Sequence, residues 1–379
     1  MKRTYALRIT GIFVILFVAY LLIAYFVLAP AGYYGTVEQP RFADPWIARA
    51  ETLLDGGKLY SDVFTAAPPL INFLMIPPTV ASRFFEHQNP GSTLSFMTYF
   101  SLFNLFTAYV LLYMAKDSKE GYRSALYFLL NPLTFGNSIL RRQDEPILVF
   151  FFSLSLLFLL HERQWKSLVA IGFTMLIKLS GSLMIPVAFL RSRDWKYLLI
   201  PPAIFVAVFA PFIISGGQTA VTNVTQKGTQ HPFRFRGISL GALWEKIQGS
   251  VPPASVTIYS VVFLIVVGLI LLLIYRKPLG LFEDMSLLAT GVLMAAPNLH
   301  NGYLLILVLM MTPLVHKYRL HLFYFLFGLL ALVADMYKWP IENFTIAFGL
   351  MIATFIMMIL AMVWVRRPFK FTNQLDAKS

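Results

Sequence analysis

The chain has 379 residues, of which 58% are hydrophobic and only 13% charged, with a formal net charge of +13 and no cysteine. Average soluble domains carry about 25% charged residues, so this composition excludes an ordinary soluble domain. The lack of cysteine excludes disulfides, thiolate metal sites and cysteine nucleophiles, and says nothing about compartment.

Apolar runs bounded by charge place membrane segments near 9–29, 95–115, 123–140, 146–160, 167–177, 182–190, 197–214, 258–275, 284–298, 303–316, 320–337 and 342–365. A full crossing needs about 20 residues. The first run meets this length, which is longer than the apolar core of a cleaved signal peptide. The runs 167–177 and 182–190 are too short to cross alone and read as a broken or re-entrant pair around Lys178. The expected fold is therefore all-α, a polytopic transmembrane bundle of about 12 segments forming one integral membrane domain over residues 1–379.

Charge orients this layout. With the N-terminus inside, the inner segments hold most of the 31 Lys and Arg, among them Lys2, Arg3, Lys116, Arg123, Arg163, Arg191, Lys317 and Arg366. This follows the positive-inside rule. The stretch 69–85 is interrupted by Pro77-Pro78 and reads as an interfacial helix, because a crossing there would flip the later basic loops. The basic balance is thus largely topology, and no nucleic-acid partner is called for.

Three polar clusters then fall outside. Residues 30–94 form a first outer loop with interfacial helices, and residues 215–257 a second large one. In the first, Asp44-Pro45 suits an N-cap followed by N1, opening a helix that stops at Gly56-Gly57. A carboxylate there could equally serve as general base toward an acceptor hydroxyl. Asp62, in Tyr60-Ser61-Asp62-Val63, is explained as well by turn chemistry as by a site. The second cluster, Arg141-Arg142-Gln143-Asp144-Glu145, reads as a solvated turn or as guanidiniums for phosphate with acids beside them. The third carries His231, Arg234 and Arg236 in HPFRFRG, either a headgroup-facing surface or a phosphate grip. His300 reads first as a satisfied interfacial histidine. Lys178 is costly in lipid, roughly 2.5–3.5 kcal/mol on insertion scales, and so reads as a cation for phosphate or a partner for a carboxylate.

Nucleotide-binding and metalloprotease motifs are absent: there is no P-loop, GxGxxG or HExxH. Most spans lack ionisable residues, which weighs against the alternative of a transporter or flippase for a lipid-linked or anionic substrate. A non-catalytic scaffold subunit would tolerate loss of the Asp44 carboxylate.

Three stretches resemble the GT-C superfamily of polytopic glycosyltransferases: FADPWIARAETLLDGGKLYSDVFTAAPPLINFLMIPP, NPLTFGNSILRRQDEPILVFFFSLSLLFLL followed by GFTMLIKLSGSLMIP, and QKGTQHPFRFRG. The pattern is most similar to the mannosyltransferase that adds the first mannose in GPI-anchor synthesis and to related prokaryotic enzymes. One departure is that Phe42-Ala43-Asp44 keeps only the second acid of the Asp-x-Asp pair usual in that group.

The resemblance implies a hexosyltransferase, expected to be a mannosyltransferase, that takes a sugar from a polyprenyl-phosphate donor such as dolichol phosphate mannose. The acceptor is lipid- or glycan-linked, and the transfer inverts the anomeric centre with Asp44 as catalytic base. Lys178, Arg141, Arg142, Arg234 and Arg236 are then the donor-phosphate residues, and Asp62, Asp144, Glu145, His231 and His300 line the acceptor side. No cofactor and no resident metal are called for, a divalent ion staying open. The implied setting is a prokaryotic cell membrane with the site on its outer face.

Overall fold

The computed structural model describes residues 2–30, 45–84, 90–229, 236–237, 244–245, 253–296, 298–299 and 301–336, with positions 349, 352, 353 and 356. It is overwhelmingly helical. α1 (Lys2–Ile23) continues through a π-helical turn, Ala24–Leu28, and is followed by α2 (Pro45–Leu54), α3 (Pro69–Leu74) and α4 (Ile76–Ser82). α5 (Pro90–Met114), α6 (Ser118–Leu130) and α7 (Pro132–Phe135) lead into a π turn, Gly136–Leu140. α8 (Glu145–Leu160), α9 (Gln164–Ile177), a 3-10 turn Leu179–Leu183, α10 (Met184–Ser192) and α11 (Lys196–Thr229) come next. α12 (Pro253–Arg276), α13 (Leu281–Ala295), α14 (Leu304–Lys317) and α15 (His321–Met336) complete the described helices. Two short strands, β1 (Arg236–Gly237) and β2 (Asn298–Leu299), pair in parallel.

Four described helical stretches are long and apolar enough to cross a membrane: Lys2–Leu28, Leu94–Met114, Lys196–Val224 and Thr257–Arg276. α8, α9, α14 and α15 are apolar but shorter. The expected twelve segments are therefore not all present as full-length spans. The stretch 342–365 lies outside the described residues, apart from single positions.

Several breaks have local causes. The expected run 123–140 divides at Asn131-Pro132, since the residue before proline is driven out of the α region. Asn131 caps α7 by accepting from Leu133 N–H at 3.0 Å, and its amide donates to the Tyr324 carbonyl at 3.1 Å. Gly328 makes room for it, because a β-carbon there would strike the Asn131 side chain. α9 stops at Ile177, and Lys178 is extended at φ −151°, ψ 141°, so the break expected around that lysine is present. α11 differs from expectation. It runs on from 215 to 229 as helix after a kink at Gly217 (φ 61°, ψ −148°), so the second outer loop begins helically.

The two ends of the bundle differ in chemistry. At one end Lys2 Nζ lies 5.3 Å over the Tyr113 ring, Tyr5 stacks on Tyr122, and Arg123 Nη1 meets His316 Nε2 at 3.0 Å. His161 belongs to the same end. Burial and the charges of Arg163 and Lys2 hold its pKa below the ordinary histidine value. There too the buried acids at the start of α13 are paired, Asp284 with Arg191 at 2.8 Å and Glu283 with Lys317 at 2.5 Å. Among the described residues, this end carries Lys2, Arg123, Arg163, Arg191 and Lys317, all assigned to the inside. α1, α8, α9 and α14 each run between it and the opposite end, where the second charged cluster lies.

At that opposite end, segment 45–82 makes a layer of its own. α2 stops where Gly56 takes φ 79°. Tyr60 is fully buried, donates from its hydroxyl to the Ala67 carbonyl at 2.7 Å, and packs on Phe209 of α11. α3 and α4 are separated at Met75, just ahead of Pro77-Pro78, and neither is long enough to cross.

Candidate active site

The triad at the centre of the site is built by two helix ends. α8 begins at Glu145, with Asp144 in its N-cap position and Pro146 in its first turn. α9 ends one residue before Lys178. The helices run antiparallel as neighbours, so the ammonium arrives beside the two acids. Lys178 Nζ donates to Asp144 Oδ1 at 2.7 Å and to Glu145 Oε1 at 2.6 Å. The carboxylates are 1% and 3% exposed and the lysine side chain 17%. The lysine thus marks where the cluster approaches the surface.

Two acids on one cation leave the trio one negative charge in excess when all are ionised. Burial pushes the Asp144 carboxyl above the ordinary aspartate range; Lys178 opposes this and Glu145 reinforces it. Each acid also keeps one oxygen in reserve: Asp144 Oδ2 and Glu145 Oε2 are buried and without a hydrogen-bond partner among the described residues. A buried acceptor left unpaired costs about 1–3 kcal/mol, so these oxygens favour a donor beside them.

The surroundings are specific. The Tyr303 ring lies 5.4 Å from Lys178 Nζ. Gly302 abuts Glu145 so closely that a β-carbon there would fall on its carboxylate. Arg141 acts on Glu145 by charge. Arg142 takes φ 51° and lies 5.9 Å over the Phe96 ring. Beneath the turn, the Asn137 carbonyl accepts from Gln143 N–H at 3.0 Å. Asn137 belongs to the π turn, a feature that recurs at functional sites. It is wholly buried, with neither side-chain heteroatom hydrogen-bonded among the described residues. Ser138 next to it is bonded to Ser101 and Asn104 of α5 at 3.1 and 3.0 Å.

The structure therefore brings Arg141, Arg142, Asp144, Glu145 and Lys178 into one cluster. Asp62 is not part of it. Its Oδ2 accepts from Lys58 N–H at 2.7 Å and closes an exposed turn, which is the turn chemistry its sequence allowed. Arg236 is described in its backbone only, paired with Asn298, five residues before Tyr303. Asp44, His231, Arg234 and His300 lie outside the described residues. Among the described residues no group of three or more His, Asp or Glu is set to hold a metal ion.

Sequence reasoning did not single out Tyr303, Gly302 or Asn137. Gly302 falls between the expected spans 284–298 and 303–316, Tyr303 opens the latter, and neither carries charge. Asn137 had a usable signal, an amide inside an apolar run that lipid would penalise.

A family model for glycosyltransferase family 87 matches residues 64–297. The match takes in Arg141, Arg142, Asp144, Glu145 and Lys178, and stops short of Asp44 on one side and of Tyr303 on the other. No curated protein matches the chain. Membership decides between the readings left open by the sequence, in favour of sugar transfer over transport. With the match spanning more than half its length, the chain belongs to glycosyltransferase family 87, as a helical membrane protein.

Proposed function

We propose that this enzyme moves a hexose, mannose first among the candidates, from a polyprenyl-phosphate donor to a lipid- or glycan-linked acceptor by a single inverting displacement. The observation that carries the reading is the buried Lys178–Asp144–Glu145 cluster with two arginines on the preceding turn. It sits at the end of the bundle away from the basic residues that charge assigns to the inside.

In this mechanism the acceptor hydroxyl attacks the sugar C1 and the C1–O bond to phosphate breaks. Asp44 takes the hydroxyl proton. The polyprenyl phosphate leaves with the bonding pair, and preorganised cations stabilise its charge. Arg141 and Arg142 supply that positive charge, with Arg234 and Arg236 from the second outer loop. The charge of Lys178 is already balanced by two acids, so it contributes a directed N–H and holds the acids in place. Phosphate is a good leaving group, so one base suffices and no general acid is required.

The test is to incubate the purified protein in lipid nanodiscs with radiolabelled polyprenyl-phosphate mannose and membrane lipid acceptors. Label should move to the lipid, with inverted configuration at C1. Transfer from a nucleotide sugar, with none from mannosyl, glucosyl or galactosyl polyprenyl phosphates, would sink the donor class.

A further inference from the structure

We infer that Asp144 and Glu145 form a hydroxyl-reading subsite for the transferred sugar, one that takes a hexose with two unsubstituted hydroxyls, one for each acid. The inference rests on the transferase reading above and adds which part of the substrate these residues meet.

Both acids accept from the same nitrogen through their near oxygens, at 2.7 and 2.6 Å. Their far oxygens, Oδ2 and Oε2, are both buried without a partner among the described residues. An ionised carboxylate is acceptor-only. With both acids ionised, the subsite asks for two donors, one for each acid, and two hydroxyls of one sugar supply them. A phosphate offers only acceptors and would meet the cluster's excess negative charge, so the phosphate end of the donor is directed away, toward the arginines.

Three further features point the same way. Lys178 fixes the acids before any ligand arrives, so little ordering is left to binding. Gly302 leaves the space that the Glu145 carboxylate occupies. Asn137, under the same turn, is a buried amide whose heteroatoms are both unpartnered among the described residues, a second polar group of the kind a sugar's hydroxyl network satisfies.

Specificity follows from what the oxygens lack. A deoxy sugar leaves a buried charged acceptor unpaired, and hydrogen bonds to charged groups are the strong class, at about 1.5–3 kcal/mol each. An N-acetyl group at either position crowds the acids and removes a hydroxyl donor. Each missing hydroxyl at the two positions should weaken binding by roughly 10- to 100-fold.

The experiment measures binding of undecaprenyl-phosphate mannose and its 2-, 3-, 4- and 6-deoxy analogues to the full chain in nanodiscs, by tryptophan fluorescence. Two positions should show the loss and the others little. In Asp144→Asn and Glu145→Gln that discrimination should collapse at one position each. The deoxy series in the unaltered protein needs no variant to fold, so it stands alone if either variant does not. Equal binding of all analogues, discrimination that survives in both variants, or no binding of the parent would overturn the subsite. Turnover in the same samples separates the two ideas: discrimination without transfer would refute the transferase mechanism and leave the subsite standing.

Discussion

Asn223 donates from Nδ2 to the backbone carbonyl of Tyr60 at 2.8 Å, across 163 residues of sequence. Lys58 Nζ adds a bond to the Ser215 carbonyl at 3.3 Å. Segment 45–82 is thereby tied to α11 on both sides of its kink, so the two segments flagged by their polarity meet in the described residues.

The kink itself gives the first prediction. Gly217 occupies backbone space that is nearly closed to other residues, and forcing one there costs of order 1–3 kcal/mol. Gly217→Ala should lower the unfolding temperature in detergent. Gly268→Ala, in α12 with open space around the added carbon, should hold or raise it. Equal effects of the two would contradict the kink.

Lys178→Met leaves two buried carboxylates without their cation. Removing one partner of a buried pair typically costs about 3–5 kcal/mol. The variant should unfold well below the parent or fail to accumulate, whereas Trp165→Ala, an exposed change, should behave as wild type. A Lys178→Met protein with parental stability would mean that the acids do not depend on the ammonium.

Gly302→Ala places a methyl where the Glu145 carboxylate lies. A displacement of about 1 Å at a reacting constellation costs on the order of 10²-fold in rate. Turnover should fall by about that factor while circular dichroism stays helical. Unchanged turnover would remove Glu145 from the site.

The base assignment predicts a split between two substitutions at Asp44. Asparagine caps helices about as well as aspartate, so Asp44→Asn should keep stability and lose about 10²–10⁴ in turnover. If Asp44 only caps α2, the asparagine variant should turn over normally and Asp44→Ala alone should lose about 1 kcal/mol.

Much of this organisation was legible in the sequence because lipid penalises polarity so strongly. Lys178 could be singled out because an ionisable residue in an apolar run needs a reason, and the short runs 167–177 and 182–190 on either side of it signalled the break. Its partners could not be named: Asp144 and Glu145 looked like a solvated turn, and only the antiparallel packing of α8 and α9 buries them. Helix past Ser215 was hidden by the Gly216-Gly217 pair and the polar residues that follow it, although the helix carries on. The expected segment count is not matched by full-length helices among the described residues for a related reason. α8 and α9 have 16 and 14 residues, so the roughly 20-residue rule, which assumes whole crossings, does not describe helices that stop at a buried site.

The antiparallel pairing of α8 and α9 also bears on biogenesis. Glu145 leaves the ribosome 33 residues ahead of the lysine that matches it. Asp144 and Glu145 stand at the N-terminal end of α8, so the helix meets the translocon with its acids unmatched and gains a neutralising partner only when Lys178, at the end of α9, follows. The two helices are best admitted to lipid as a hairpin, and charge pairing then sets the order of insertion as well as the chemistry of the finished site.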